Sequence, residues 1–333
     1  MNYIVMTSIH YPTAAVRSFS SLKDTRLIVV GDKKTPSDWS CENVLFLPVG
    51  KQDQIGRHLH NVLPYNHYCR KMLGYLHAME MNARGIIDVD DDNHPKPGFS
   101  FPAFEGKYDK VPKNQGFINI YQYFTDQKIW PRGLPLRSIN KNYELCNGTT
   151  VLDCKVGVWQ GLADGRPDVD AIYCLVDDRP CTFAERPPIV LSEGTFSPFN
   201  TQNTIIRKEL FPLMYLPAHV TFRFTDILRG LIAQPIMWLY GFHLGFSEAT
   251  VTHERNPHDY FNDFLSEIPM YQHTERVVEI AEKVVCRKYS PSENLFITYE
   301  ALVNAGIADK LEMTVLAAWI KDIEPFRLDM HAV

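Results

Sequence analysis

The sequence predicts an α/β fold, a mixed sheet flanked by helices, and three observations carry that prediction. The apolar runs YIVM (3–6) and LIVV (27–30) are separated by a short amphipathic stretch, the pattern of strand, helix, strand. Residues 68–83 bring Cys69, Met72, Leu73, Leu76, Met79 and Ala83 to spacings of three and four, one face of a helix. Gly85 ends that helix, and IIDV (86–89) forms a strand that closes on Asp90, Asp91 and Asp92. In open α/β sheets ligands bind at that end of the strands.

The remaining elements follow in order. The first strand ends in the polar turn Thr7-Ser8, the second at Gly31-Asp32, and VLFL (44–47) is a third short run. Residues 93–150 are rich in Pro, Gly, Asn and aromatics and read as loops and short strands. Residues 171–176 and 203–206 are expected as further strands. Thr225 is placed as the N-cap of a helix through Ile227, Leu228, Leu231 and Ile232, which Pro235 is expected to kink or end. EATVTH (248–253) is expected as a last strand. From about Thr274 the pattern is helical, with one apolar stripe over 277–285 and another over 311–323. The expected division is an α/β domain over 1–265 and a helical C-terminal extension over 266–333, free either to pack on that domain or to pair two chains.

Composition narrows the function classes. A chain of 333 residues with 45% apolar and 22% charged residues has an ordinary globular balance and length enough for a large core. A net charge of -5 gives no electrostatic case for a nucleic-acid binder. The seven cysteines (Cys41, Cys69, Cys146, Cys154, Cys174, Cys181 and Cys286) are odd in number and never spaced CxxC, against a zinc ribbon or a disulfide framework. The opening MNYIVMTSIHYP is too short and too polar for a signal peptide, and no run approaches a membrane span, so the expectation is a cytoplasmic chain.

The segment GIIDVDDDN (85–93) packs four aspartates into five residues, a cluster that repels itself unless something positive enters it. As a calcium loop beginning at Asp88 it fails, because Asn93 and Phe99 stand where the Gly and Glu belong. As a solvated turn it is served by Asn93 and Pro95. As a strand-terminal DxD it holds Mg²⁺ or Mn²⁺ against the diphosphate of a sugar nucleotide, because these ions combine a few carboxylates with phosphate oxygens and water. The helix and strand before it favour the third reading.

Several strings in order along the chain carry a family resemblance: RKMLGYLHAMEMNARGIIDVDDDN (70–93), WPRGLPLRSIN (130–140), QGLADGRPDVDAIY (160–173), PFNTQNTII (198–206), RFTDILRGLIAQPIMWLYG (223–241) and TVTHERNP (250–257). The sequence resembles the STELLO family of glycosyltransferase-like proteins and, more distantly, the reversibly glycosylated polypeptides that act as UDP-arabinopyranose mutases. The resemblance implies a GT-A fold, one Rossmann-like α/β domain, and a nucleotide-sugar donor. Asp90 and Asp92 become the leading metal ligands, with Asp91 the alternate beside the donor. His253 is implied as a third ligand, against a plain strand-end histidine. Lys71 and Arg70 are implied to neutralise the diphosphate or contact the base, against two solvated helix charges.

By the same resemblance Thr7, Ser8 and Asp32 sit where GT-A folds hold base and ribose, and Asp226 matches the acidic position that faces the acceptor, a candidate general base. Asp168, Asp170, Asn200 and Asn203 are polar groups for sugar hydroxyls, and Trp130 and Trp159 are candidates to stack on sugars or fill the core. Arg137 falls at the arginine that the mutases glycosylate, with Arg132 the neighbouring alternative. The expected function is metal-dependent transfer of a sugar from a nucleotide-sugar, a UDP-sugar by preference, to a saccharide acceptor. The rivals are a sugar-nucleotide mutase centred on Arg137 and a catalytically silent scaffold. A homodimer is carried as an expectation.

Overall fold

The structure, a computed structural model, describes residues 1–143, 151–254, 259–326 and 328. Cys146 and residues 255–257 of the family-like string TVTHERNP lie outside the described residues. In chain order the elements are β1 (Asn2–Thr7), α1 (Ala14–Ser20), β2 (Thr25–Val30), β3 (Val44–Leu47), α2 (Lys71–Glu80), β4 (Gly85–Val89), β5 (Asn93–Pro95), β6 (Glu105–Lys110), β7 (Gly116–Phe117) and α3 (Tyr121–Phe124). They continue with β8 (Val151–Gly165), α4 (Ala171–Val176), β9 (Ile189–Val190), β10 (Thr195–Phe196), β11 (Asn203–Arg207), α5 (Thr225–Leu239), β12 (His243–His253), α6 (Tyr260–Val284), α7 (Pro291–Asn304) and α8 (Leu311–Ile323).

A ten-stranded sheet runs β3-β2-β1-β4-β11-β8-β6-β9-β12-β5. The first four of these strands are parallel; β11 then pairs antiparallel with both β4 and β8, and β12 lies parallel to β8. This is the expected α/β mixed sheet flanked by helices. The alternation of strand side chains explains why it needs two covers. On β1, Tyr3 and Val5 enter the large core with α2, α5, α7 and α8, while Ile4 and Met6 enter a smaller one beneath α1 and the aromatic loop Phe99, Phe101 and Phe104. Asp88 alternates onto the same face as Ile86, toward α2 and α5.

Several expectations are corrected. Residues 171–176 form a helix, not a strand, because the Asp170 carboxylate accepts from the Tyr173 N–H at 2.9 Å and caps it. Thr225 opens α5 without capping it; its hydroxyl instead bonds the Thr221 carbonyl. Pro235 does not end α5, which runs on to Leu239; residues Thr225 to Met237 are all buried, and that packing outweighs the missing hydrogen bond. The C-terminal helical region begins at Tyr260, where Asp259 caps α6, so the expected boundary at 265/266 falls inside one helix.

The C-terminal helices pack on the α/β domain of the same chain. Glu312 of α8 is fully buried and accepts from the backbone N–H of Ala218 (3.0 Å) and His219 (2.8 Å) and from the Tyr215 hydroxyl. Trp319 Nε1–H donates to the Pro212 carbonyl at 3.0 Å. Among the described residues no helix is long and apolar enough to cross a membrane.

Gly74 is where α2 meets the sheet. A Cβ there would lie 2.5 Å from Val5 Cγ1 and 2.7 Å from Val30 Cγ2. In an open helix Gly→Ala stabilises by about 1 kcal/mol. Here overpacking reverses the sign, so Gly74→Ala is expected to destabilise the chain by about 1–3 kcal/mol in urea unfolding. A neutral or stabilising result would mean α2 does not sit this close to β1 and β2.

Candidate active site

The parallel strands β1, β2 and β4 deliver their C-terminal ends to one edge of the sheet, and the cleft forms there. A cavity of about 250 Å³ is lined by Thr7, Asp90, Asp91, Asp92, Arg132, Asp168, Asp226 and His253, among others. A second of about 420 Å³ adjoins it, lined by Ser8, Asp32 and Arg70 and sharing Thr7, Tyr68, Asp91 and Phe222 with the first. Strand register explains His253: β12 pairs with β5 so that His253 stands opposite Asn93, the residue after Asp92. His253 Nε2 then lies 3.2 Å from Asp92 Oδ2, and its Nδ1 faces the Arg166 carbonyl. Burial works against charge on this imidazole, but the Asp92 hydrogen bond and charge outweigh it and raise its pKa.

A lysine sits in the aspartate cluster. Lys71 is fully buried, and its ammonium donates to Asp88 Oδ1 (2.8 Å), the Val89 carbonyl (2.9 Å) and Asp90 Oδ1 (3.0 Å). Those bonds use all of its N–H donors. Lys71 therefore neutralises the aspartates and has no hydrogen left for a diphosphate or a base, a correction to its expected role. Burial alone would lower its pKa, but Asp88 and Asp90 hold it above the usual value. Asp88 also accepts from Tyr75 (2.5 Å) and Arg229 (3.0 Å). Asp90 keeps 42% of its side chain exposed to the cleft. Loss of solvent, with the Asp92 and Asp88 charges, pushes its carboxyl up to about 6 against the pull of Lys71.

A second network faces it. Arg132 donates to both oxygens of Asp168 (2.8 and 2.8 Å) and both oxygens of Asp226 (2.9 and 2.9 Å). The Tyr68 hydroxyl lies 3.4 Å from Asp226 Oδ1 and accepts from the Asp226 N–H at 3.2 Å. Burial pushes the Asp226 carboxyl up, but Arg132, with Arg229 and Arg223, outweighs it and holds the group at about 2. Asp226 is thus ionised throughout the neutral range and weakened as a proton acceptor. Asn200 joins the two networks: its carbonyl accepts from Arg229 at 3.0 Å and its amide donates to Asp168 at 2.7 Å.

Other expected site residues fall differently. Arg137 lines neither cavity; its side chain is 73% exposed and pairs with Glu275 of α6, while Arg132, five residues earlier, is buried in the cleft wall. Asn203 is buried and donates to the Leu162 carbonyl and Thr250 Oγ1. The cleft is lined instead by its neighbours Thr201 and Gln202. Asp170 caps α4 and accepts from Trp130 Nε1–H, and Trp159 is fully buried, so neither tryptophan offers a face to a sugar. Asp91 is tied back to the first loop, accepting from Ser8 Oγ at its carboxylate and from Thr13 at its carbonyl. Asp32 accepts from the N–H of Lys33 and Asn66, and Arg70 bonds Gln52 and stacks on Tyr65 at the wall of the second cavity. Asp88 and Arg229 were not foreseen; the available signal was two charges, Asp226 and Arg229, on the same face of an otherwise apolar helix.

The donor set suits a divalent ion that shares its ligands with substrate. Asp92 and His253 are already in contact at the cleft wall, a carboxylate and an imidazole of the kinds Mn²⁺ accepts. Among the described residues no three His, Cys, Asp or Glu side chains converge to hold an ion unaided, so phosphate oxygens and water would complete the shell.

The fold and the site together define an α/β protein whose mixed sheet carries a carboxylate-rimmed cleft at the C-terminal edge of its parallel strands. The family model for STELLO glycosyltransferases matches residues 223–333, a third of the chain. The chain is 26% identical over 340 residues to the probable glycosyltransferase STELLO1 of Arabidopsis thaliana, and 25% identical over 342 residues to STELLO2 of the same plant. Each alignment covers 96% of this chain and 44% of the relative, so the chain spans less than half the length of either. Among solved structures it is similar to glucosyl-3-phosphoglycerate synthase from Mycobacterium tuberculosis in complex with Mn²⁺, UDP and glucosyl-3-phosphoglycerate, with a TM-score of 0.36 and 10% identity over 84% of this chain and 77% of that one.

Arg132→Met should leave Asp168 and Asp226 buried without their cation, at a cost of about 3–5 kcal/mol. In the native chain the Asp226 pKa lies below the ordinary 3.8, so its stabilising contribution is complete above that value and is lost as pH falls through about 2. Without Arg132, burial dominates and raises that pKa, so the stability gap between variant and native chain should narrow from pH 7 to pH 5. Denaturant unfolding at both pH values checks this; a gap independent of pH would contradict the ion-pair account.

Proposed function

We propose that this chain is the donor-binding and catalytic part of a metal-dependent glycosyltransferase that moves a sugar from a nucleotide-sugar, a UDP-sugar by preference, to a saccharide acceptor. The observation that carries the reading is the pair of joined cavities at the strand ends, one walled by Asp90, Asp92, His253, Arg132 and Asp226 and the other by Thr7, Ser8, Asp32 and Arg70. The second has the room and the mixed polar lining that a nucleoside needs, and the shared wall at Asp91 and Thr7 is where the diphosphate would cross. The likeness to STELLO glycosyltransferases supports the same class.

Asp92 and His253, with Asp90 beside them, would hold Mn²⁺ or Mg²⁺. Bound there, the ion would neutralise the diphosphate and stabilise the departing nucleoside diphosphate. The chain's own residues do the rest. Lys71 fixes Asp90, and the Arg166 carbonyl orients His253 through Nδ1. Tyr68 and Phe222 line both cavities where they join. In this reading Asp226 takes the acceptor hydroxyl proton, ionised as a base must be; an incoming hydroxyl would take over one of the bonds that Arg132 makes to it. Transfer is favoured over ring-form mutation by the surface position of Arg137, which leaves no arginine of that segment free to carry a sugar in the cleft: Arg132 is fully engaged.

The native chain should bind UDP in calorimetry far more tightly with Mn²⁺ than without, and Asp92→Ala or His253→Ala should remove that dependence while the melting temperature holds. Mn²⁺-independent binding, or unchanged affinity in both variants, would sink the metal assignment. Once a donor and acceptor pair is found, Asp226→Asn should lower turnover by about 10²–10⁴-fold with donor affinity unchanged. Near-normal turnover would leave Asp226 as a partner of Arg132 only.

A further inference from the structure

The cleft's outer wall is carried by two loops with little secondary structure of their own, and α8 holds both. One is the 56–70 segment, which ends at His67, Tyr68 and Arg70. The other is the 215–224 segment, which leads into Phe222, Arg223 and Asp226. Asp322, near the C-terminal end of α8, accepts from the N–H of His58 (3.1 Å) and Leu59 (2.7 Å) and lies 2.7 Å from His58 Nδ1. Its side chain is 5% exposed. The turn it caps runs directly to Arg70, whose guanidinium bonds the Leu63 carbonyl and meets His60 Nδ1, both at 3.3 Å. Glu312, near the other end of α8, holds the second loop through the N–H groups of Ala218 and His219 and through Tyr215. That loop then turns through Phe222–Phe224 into the helix that bears Asp226. The two carboxylates are ten positions apart on one helix, about 15 Å. The loops they anchor meet again at the cleft, where the Tyr68 and Phe222 rings pack edge to face at 4.7 Å.

We infer that α8 is a positioning element for the cleft: Asp322 and Glu312, neither of which lines it, set the separation of the Tyr68 and Phe222 walls and thereby the affinity for a nucleoside diphosphate. Buried carboxylates on backbone N–H groups suit this task. Such bonds are charge-assisted and directional, and they fix main chain where side-chain packing would leave room to slide. The affinity part rests on the donor-site reading above; the positioning part does not.

The test uses the full chain with Asp322→Ala, Asp322→Asn, Glu312→Gln and, as a control on the exposed face of α8, Lys321→Ala. Amide hydrogen exchange is followed by mass spectrometry, and affinity for UDP with Mn²⁺ by calorimetry. Asp322→Ala should speed exchange at 65–70 as well as at 58–59, and Glu312→Gln should speed it at 222–226, with the sheet strands unchanged. UDP affinity should fall about 5- to 10-fold in Asp322→Ala. Asp322→Asn, which keeps one acceptor oxygen, should recover part of both effects, and Lys321→Ala should show neither. A variant that is merely less stable would exchange faster throughout the sheet, and that result would overturn the inference. So would unchanged exchange at 65–70 and 222–226. If the native chain binds no UDP with Mn²⁺, the donor reading fails, and the exchange pattern still decides the positioning claim.

Discussion

Asp88 is a carboxylate with no exposure to solvent, and the rest of the site depends on how its charge is met. Burying an ion costs several kcal/mol even after relaxation, and its partners repay that only when their geometry is good and their remaining hydrogens are used. Here Lys71 comes from α2 and Arg229 from α5, with Tyr75 beside them. The two helices must therefore dock on β4 together. Once they do, the following residues Asp90, Asp91 and Asp92 leave the strand in a fixed direction, and Lys71 steadies the first of them.

The same logic extends across the cleft. Arg229 passes from Asp88 to the Asn200 carbonyl, and Asn200 passes from there to Asp168, which shares Arg132 with Asp226. Asp90, beside the proposed metal site, and Asp226, proposed to face the acceptor, thus belong to one hydrogen-bonded framework. Such a framework holds charges in place before substrate arrives, the condition under which fixed dipoles and ions act most strongly on a reacting group. It also leaves Asp226 ionised but restrained.

The sheet edge was legible because its signals are local. The apolar runs YIVM and LIVV, the helical spacing before Gly85 and the aspartates after Val89 each sit within a few residues of one another. At 171–176 the composition of AIYCLV suits a strand, and a single cap at Asp170 makes it a helix. The arginines show the harder limit. Arg132 and Arg137 stand five positions apart on one loop, and only partners distant in sequence, Asp168 and Asp226 for one and Glu275 for the other, decide which is buried. Lys71 was placed near the donor by resemblance, yet its three bonds point inward because Asp88 lies on the helix-facing side of β4.

On the proposed function, Asp92 and His253 meet at the cleft to share a divalent ion with a nucleoside diphosphate. Crystals soaked with UDP and MnCl₂ and measured at the manganese absorption edge test it most directly. The expected result is one anomalous peak in contact with Asp92 and His253, with the nucleoside in the cavity lined by Thr7, Ser8 and Asp32. Nucleotide bound with no manganese beside these residues, or manganese held elsewhere on the chain, would contradict it.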